Sequence, residues 1–256
     1  MQNIVSLQDK TIIVTGAAQG IGQAVATLAL ELGANVVVVD LNGEAIDAFA
    51  ARHGGRVAAF TGNVADPEFA ARSVEAAIAR FGKVDGLVNN AGIVRPAMID
   101  KMTLDQWRQV IDVHLTGSFL WLQAVGRHLL QRAKAGEQAP GAIVNVSSDA
   151  GRKGSIGQIN YSSAKAGLLG LTMSAAREWA KYGIRTNTVC FGVVETPMTE
   201  VVRSEKFREG ALAQIPMGRW AQPEEVVKTI CFLLSDASSY IIGQHIGVNG
   251  GYHIAS

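Results

Sequence analysis

The sequence has no excess of charge of either sign. Its 23 lysines and arginines offset 22 aspartates and glutamates, which leaves a formal net charge of +1. A protein that binds nucleic acid or an anionic membrane usually carries a strong positive field. The charge balance therefore argues against nucleic acid and against a membrane as the main partner.

Long hydrophobic runs and cysteines are also scarce. The longest apolar runs, such as residues 36–39, are far too short to span a bilayer, and residues 1–10 show neither a basic start nor an apolar block. Cys190 and Cys231 are the two cysteines, and neither has the spacing of a metal site. We therefore expect a cytoplasmic protein with packed thiols and no bound metal.

Apolar, β-rich runs alternate with segments of helical periodicity along the chain. The runs cover residues 11–14, 35–39, 57–60, 86–88, 143–146, 186–189 and 246–248. The helical segments cover residues 23–32, 43–52, 67–81, 104–130, 164–182 and 223–234. Continuously apolar strands that alternate with helices are typical of a parallel sheet with both faces covered.

This order predicts one α/β domain over residues 1–256 with a Rossmann fold, a doubly wound parallel sheet of about seven strands flanked by helices. Residues 196–215 are polar, helical and interrupted, and they follow a predicted strand. A substrate lid and a plain surface excursion are both compatible with that pattern.

A glycine-rich turn follows the first predicted strand and opens a helix. The sequence there is Thr15-Gly-Ala-Ala-Gln-Gly-Ile-Gly22. Its glycines let the backbone approach a pyrophosphate, whose charge is attracted by the free N–H groups at the helix N-terminus. The spacing is a relative of the usual dinucleotide fingerprint, and we interpret it as a dinucleotide site.

Asp40 follows the second predicted strand. A carboxylate at this place can accept both hydroxyls of an adenosine ribose, and it repels a 2′-phosphate. No lysine or arginine lies in residues 17–19 or 41–43 to offset that repulsion. The sequence therefore predicts NAD(H) as the cofactor rather than NADP(H). A helix N-cap is the alternative role for Asp40.

Tyr161 and Lys165 lie four residues apart in a helical context, so their side chains share one face. An ammonium beside a phenol lowers the phenol's pKa from its ordinary value near ~10. Such a tyrosine can exchange a proton with a carbonyl or alcohol oxygen. Ser148, at the end of a predicted strand, can hydrogen-bond the same oxygen. Taken alone, this spacing is common, and a surface tyrosine and lysine on an ordinary helix would be the better explanation.

Together these motifs resemble the short-chain dehydrogenase/reductase family over essentially the whole chain. The signatures are the turn from Thr15 to Gly22, the segment Asn89-Asn-Ala-Gly92, Ser148, and Tyr161-x-x-x-Lys165. The resemblance implies an enzyme that moves a hydride between NAD(H) and a carbonyl or secondary alcohol. It implies Ser148, Tyr161 and Lys165 as catalytic residues, and a homotetrameric assembly.

The resemblance also implies specific contacts with cofactor and substrate. The implied cofactor-binding residues are Gly16, Gln19, Gly20, Ile21, Gly22, Asp40, Leu41, Asn63, Val64, Asn90, Ala91, Gly92, Tyr161, Lys165, Gly192, Val194 and Thr196. The implied substrate contacts are Ser148, Gln158 and Tyr161.

Two positions depart from the family's pattern. The family's asparagine in a Val-Asn-Leu-x-Gly segment is replaced here by His114. That asparagine supports a water that leads from the lysine to solvent, and because imidazole can also hold a water, we include His114 among the catalytic residues. A core-side histidine is the alternative. Phe191 stands where the family usually has proline, and it either shapes the cofactor or substrate wall or fills apolar space.

Within the family, residues 157–161 and 243–251 are most similar to bacterial 3-oxoacyl-thioester reductases. A 3-oxoacyl thioester and a small ketone are therefore candidate substrates. NAD-dependent secondary-alcohol and sugar-alcohol dehydrogenases have similar endings and form the alternative. A protein that senses NAD(H) without turnover is a more remote alternative, because Tyr161 and Lys165 are both present.

Overall fold

The computed structural model describes residues 4–254. Residues 1–3, which begin the N-terminal segment considered above, and residues 255–256 lie outside the described residues. Within residues 4–254 no helix is long and apolar enough to cross a bilayer. In the same range, no group of three or more His, Cys, Asp and Glu residues is placed to hold a metal ion.

The seven predicted strands are all present, and each is longer than the apolar run that predicts it. They are β1 Thr11–Thr15, β2 Asn35–Asp40, β3 Val57–Thr61, β4 Gly86–Asn89, β5 Gly141–Ser148, β6 Ile184–Phe191 and β7 His245–Val248. Every pairing is parallel, and the strand order is β3-β2-β1-β4-β5-β6-β7. The order reverses between β1 and β4, and in such sheets ligands bind beyond the carboxyl ends of the strands at that point. The predicted doubly wound fold is confirmed.

Helices connect the strands and cover both faces of the sheet. They are α1 Gly20–Glu31, α2 Gly43–His53, α3 Pro67–Phe81, α4 Leu104–Ile111, α5 Gly117–Lys134, α6 Ala150–Lys153, α7 Ile159–Trp179, α8 Glu200–Arg203, α9 Glu205–Leu212 and α10 Pro223–Leu234. The predicted segment 196–215 forms α8 and α9, preceded by a short 3-10 turn at Pro197–Thr199. Its function as a lid stays a prediction.

Alternate side chains of the strands point to opposite faces of the sheet and pack into two separate hydrophobic cores. On one face, Ile12 and Val14 pack with the apolar side of α1 and α10. On the other face, Ile13 packs with Trp121 of α5 and with residues of α3 and α7. Trp121 lies in the predicted helical segment 104–130 and is completely buried.

One π-helical turn, Asp112–Thr116, interrupts the segment 104–130 that the sequence predicts as a single helix. The first part, α4, begins after Thr103, whose hydroxyl accepts from the Gln106 N–H in a capping box. The extra residue in the wide turn places His114 inside, where it is 1% exposed. Such turns are frequent at functional sites.

A buried polar ladder joins the central strands to α7. The Asn89 amide of β4 donates to Asn145 of β5 at 2.9 Å, and the Asn145 amide donates to Thr172 of α7 at 2.8 Å. The Thr172 hydroxyl lies 2.6 Å from that of Thr188 in β6. Because buried polar groups are costly unless paired, this ladder fixes how α7 sits on the sheet.

Candidate active site

A cleft of about 240 Å³ opens at the carboxyl edge of the sheet, where the strand order reverses. It collects most of the residues that the sequence analysis selects from distant segments. Those that line it are Gly16, Gln19, Gly20, Ile21, Asp40, Asn90, Gly92, His114, Ser148, Tyr161, Lys165, Gly192, Val194 and Thr196. A larger recess of about 850 Å³ lies at the opposite edge, around Lys83 and Asp85, and it contains none of these residues.

The glycine turn forms one end of the cleft, and its geometry requires glycine. Gly16 has φ +67°, and a Cβ there would lie 2.7 Å from Cα of Ala91. A Cβ on Gly22 would lie 2.1 Å from the carbonyl oxygen of Gly16. Gln19 precedes α1 and makes no side-chain cap, so the first N–H groups of this helix are left for an anion in the cleft. The turn therefore fits the pyrophosphate of a dinucleotide.

Asp40 lies at the edge of the same cleft, at the end of β2. Its two carboxylate oxygens accept from backbone N–H groups, one from Ala18 at 3.0 Å and the other from Asn42 at 3.1 Å. These bonds hold the carboxylate beside the glycine turn. The N-cap of α2 is Asn42 and not Asp40, so the alternative role considered for Asp40 is wrong.

Six predicted contact residues do not line the cleft: Gly22, Leu41, Asn63, Val64, Ala91 and Gln158. Leu41 is 70% exposed beside Asp40, whereas Val64 is buried. The Asn63 side chain accepts from the Ala65 N–H at 3.0 Å and shapes its own loop. Gln158 lies at the N-cap position of α7 without a side-chain cap bond. Contacts of these six residues with cofactor or substrate stay predictions.

Ser148, Tyr161 and Lys165 meet at the inner end of the cleft. Ser148 ends β5, while α7 carries both Tyr161 and Lys165. The helix is tied to β5 at this level, because the Lys165 ammonium donates to the Val146 carbonyl at 2.6 Å and the Ser147 hydroxyl donates to the Lys165 carbonyl at 2.8 Å. Ser148 and Tyr161 both line the cleft at this end.

The structure does not show the expected lowering of the Tyr161 pKa by Lys165. Burial raises the pKa of Tyr161, and the hydrogen bond with Ser148 is what opposes that rise. The Lys165 Nζ lies 5.6 Å from the centroid of the phenol ring. Burial lowers the pKa of Lys165 to about 7, so much of its charge is lost at neutral pH.

His114 lies against the catalytic tyrosine. Its ring is edge-on to that of Tyr161, with 5.1 Å between centroids, and Gly92 is required beside it because a Cβ there would lie 2.2 Å from Cε1. Burial, and next the charge of Lys165, lower the pKa of His114 to about 3, so the imidazole is neutral.

The two ring nitrogens of His114 differ. Nε2 lies 3.0 Å from the Ile93 nitrogen and 2.7 Å from the Ile93 oxygen, so it bonds one or the other according to the tautomer. Nδ1 is buried and has no hydrogen-bond partner among residues 4–254. His114 is therefore buried, as the core-side alternative requires, and yet lines the cleft with one nitrogen unpaired.

Several cleft residues were not predicted to lie near the site. They are Val146, Ser147, Pro197 and Thr199. The last two belong to the predicted lid segment, whose polarity pattern does not indicate which side chains turn inward. Phe191 is 3% exposed, packs in one core and also lines the cleft, so both roles considered for it apply.

Comparisons with known proteins match the chain over nearly its whole length. The family model described as enoyl-(acyl carrier protein) reductase matches residues 16–253. The chain is 43% identical over 248 residues to 3-oxoacyl-(acyl-carrier-protein) reductase FabG of Thermotoga maritima, covering 96% of this chain and 98% of that protein. It is 38% identical over 249 residues to the protein of the same name from Vibrio cholerae, covering 97% and 99%.

Two solved structures are similar to this chain over 98% of its length. One, described as a short-chain alcohol dehydrogenase from Sinorhizobium meliloti, has a TM-score of 0.90 and 34% identity and covers 98% of each chain. The other, described as an NAD(P)-dependent gluconate 5-dehydrogenase from Beutenbergia cavernae with bound NADP at low occupancy, has a TM-score of 0.88 and 35% identity and covers 98% of this chain and 99% of that one. The chain therefore belongs to the short-chain dehydrogenase/reductase family, oxidoreductases that act on alcohol and carbonyl groups with a nicotinamide cofactor.

Proposed function

We propose that this protein moves a hydride reversibly between NAD(H) and the reacting carbon of a 3-oxoacyl thioester or related small ketone. The observation that carries the proposal is the pair of hydroxyls, Ser148 and Tyr161, in one cleft with the glycine turn and Asp40. The relatives named 3-oxoacyl reductases support the same substrate class.

The two hydroxyls favour reduction of a carbonyl over reduction of an enoyl double bond, the activity in the matched family model's description. Both can hydrogen-bond one oxygen, and in a carbonyl that oxygen sits on the carbon that accepts the hydride. The apolar side chain of Met198 lines the cleft, and an apolar lining suits an acyl substrate better than a sugar.

The bound nicotinamide supplies the hydride, and the protein's residues supply position and a proton. Ser148 holds the substrate oxygen and polarises it. Tyr161 donates a proton to that oxygen in reduction and accepts it in oxidation. Because Tyr161 keeps its proton at neutral pH, the resting phenol is ready to act as the acid of ketone reduction. We assign Lys165 to the nicotinamide ribose.

A secondary-alcohol or sugar-alcohol dehydrogenase is the second candidate. The similar solved structures described as an alcohol dehydrogenase and a gluconate 5-dehydrogenase favour it. The two candidates share Ser148, Tyr161 and Lys165, and they differ in the substrate that gives the highest kcat/KM.

The first prediction concerns substrate class and the proton donor. We expect NADH oxidation with acetoacetyl thioesters to exceed that with sugar ketones, and Tyr161→Phe to lower kcat by at least ~100-fold because the proton donor is lost. The measurement is loss of NADH absorbance across a panel of thioesters, diketones, simple ketones and sugar ketones, with the reverse alcohol assay.

Tyr182→Phe is the matched control, since Tyr182 lies in the turn after α7 and packs against a core away from the cleft. This variant is expected to keep the wild-type rate. Near-full turnover by Tyr161→Phe would contradict the assignment of the acid.

The second prediction concerns the cofactor. The Asp40 carboxylate disfavours a 2′-phosphate, so we expect kcat/KM to favour NADH over NADPH by at least ~10-fold. Asp40→Asn keeps an acceptor for the Ala18 N–H and removes the charge, and should raise kcat/KM with NADPH. Asp66→Asn, at the N-cap of α3, is the control and should leave the preference unchanged. A wild-type preference for NADPH would show that the NAD(H) assignment is wrong.

The third prediction concerns His114, which we propose as a residue of the proton path beside Lys165. The neutral imidazole fills space that a smaller amide would leave to water, and water relieves the burial that lowers the pKa of Lys165 to about 7. In His114→Asn the pKa of Lys165 should rise toward its ordinary value. We therefore expect retained turnover, with the alkaline limb of the pH–rate profile moved to higher pH.

His128→Asn is the control for this experiment, because His128 is partly buried and accepts from the Val84 N–H at 3.2 Å, away from the cleft. Its pH profile should match that of the wild type. A lower Tm in His114→Asn with no change in the pH profile would assign His114 to packing alone.

The fourth prediction concerns assembly, since we propose a cytoplasmic homotetramer. The long helices α5 and α7 each present an apolar side chain to solvent, Phe119 at 44% and Met173 at 47% exposure. Light scattering after gel filtration should give about four times the chain mass of 27.1 kDa. Phe119→Glu with Met173→Glu should reduce that mass, and Phe207→Glu on α9 should not. A monomeric wild type would contradict the proposal.

A further inference from the structure

Asp149 has no role in the mechanism above, yet it is the residue after Ser148 and is 1% exposed. Its position lies between the end of β5 and the start of α6, directly beside the catalytic serine. Nothing in the sequence pattern distinguishes it from an ordinary turn residue, but its contacts in the structure do distinguish it.

Asp149 links three separate pieces of chain. Its N–H donates to the Phe191 carbonyl of β6 at 2.9 Å, and its own carbonyl accepts from the N–H groups of Arg152 and Lys153, both at 3.0 Å. Its Oδ2 accepts from the Asn249 amide at 2.7 Å. The turn that carries Ser148 is therefore bound on one side to β6 and on the other to the segment after β7.

Asn249 in turn contacts a residue of the cleft wall, Gly192. Its amide also donates to the His253 carbonyl at 2.9 Å, and its side-chain oxygen accepts from the Gly251 N–H at 3.0 Å. It backs Gly192 so closely that a Cβ on Gly192 would lie 3.1 Å from Asn249. Gly192 lines the cleft beside Phe191, so Asn249 supports this wall from behind.

Three titratable side chains act on Asp149: Arg152, Lys153 and His253. The second carboxylate oxygen, Oδ1, is buried and has no hydrogen-bond partner among the described residues, and Arg152 Nη1 lies 3.9 Å from it. Arg152 donates instead to the His245 carbonyl, and the Lys153 ammonium lies over the Tyr252 ring. Burial raises the pKa of Asp149, while Asn249, Arg152, His253 and Lys153 oppose that rise.

A buried carboxylate with an unpaired oxygen is unfavourable for stability, and a well-packed apolar side chain would fill the same space without that penalty. Unlike an apolar side chain, the carboxylate makes a directional hydrogen bond, and its bond to Asn249 fixes the position of the turn after β5. The same carboxylate lies next to the hydroxyl that must hold the substrate oxygen.

We propose that Asp149 is a positioning residue for hydride transfer. Its bond to Asn249 holds Ser148 and the wall formed by Phe191 and Gly192 at a fixed separation, so that the substrate oxygen and the nicotinamide side of the cleft stay aligned. Residues 249–253 thereby belong to the support of the active site. This inference rests on the proposed function for its kinetic consequence but not for its structural one.

The test compares Asp149→Ala, Asp149→Asn and Asn249→Ala with Asp85→Ala as control. Asp85 is also a buried carboxylate, at the opposite edge of the sheet, where it pairs with Arg132 at 2.7 Å and accepts from the Thr11 N–H at 2.8 Å. In Asp149→Ala and Asn249→Ala we expect kcat to fall ~10- to 100-fold, because small misplacements of reacting groups have effects of that size. NADH affinity should be unchanged. Asp149→Asn keeps an oxygen acceptor and should recover most of the rate.

A second measurement does not depend on turnover. The Cζ resonance of isotope-labelled Tyr161, assigned with Tyr161→Phe, reports the surroundings of its phenol beside Ser148. It should shift in Asp149→Ala and Asn249→Ala, and it should stay in place in Asp149→Asn and Asp85→Ala. If Asp149→Ala does not fold, Asn249→Ala gives the same comparison.

Wild-type kcat and an unshifted Tyr161 resonance in both alanine variants would overturn the inference. Equal loss of rate in Asp85→Ala would also overturn it, because the effect would then be one of stability alone. If the wild type turns over none of the substrates tested but the resonance shifts as expected, the proposed function fails and the positioning by Asp149 stands.

Discussion

The parallel direction of β1, β4, β5 and β6 is the constraint on which the site depends. Because the strands run the same way, their carboxyl ends meet at one edge, and the segments that leave them bring the glycine turn, Ser148 and Gly192 into one cleft. The ladder from Asn89 to Thr188 then sets α7 on the sheet. A rigid frame of this kind suits a reaction in which alignment of two ligands is the protein's main task.

The fold and the principal site residues could be predicted because their signals are local. Strand and helix periodicity, the glycine spacing and the four-residue step from Tyr161 to Lys165 are readable without knowing the neighbours. The π-helical turn at Asp112–Thr116 could not be predicted in this way. It inserts one residue into a periodic apolar pattern, and what accommodates it is the space beside Gly92, on a distant loop.

The pKa values of the site residues were harder to predict from the sequence than the identity of those residues. Sequence spacing brings an ammonium near a phenol, but it does not give the burial of either group, and burial dominates both pKa values. Asp149 was missed for a related reason. Its partner Asn249 is 100 residues away along the chain, so no local pattern marks the pair.

The position of Asn249 also bears on how the protein is made. All seven strands and the residues of the glycine turn, Ser148 and Tyr161 precede it in the order of translation. A nascent chain that has not yet emerged past Asn249 therefore lacks the group that backs Gly192 and bonds Asp149. The support behind this part of the cleft is thus one of the last pieces of the fold to become available during synthesis.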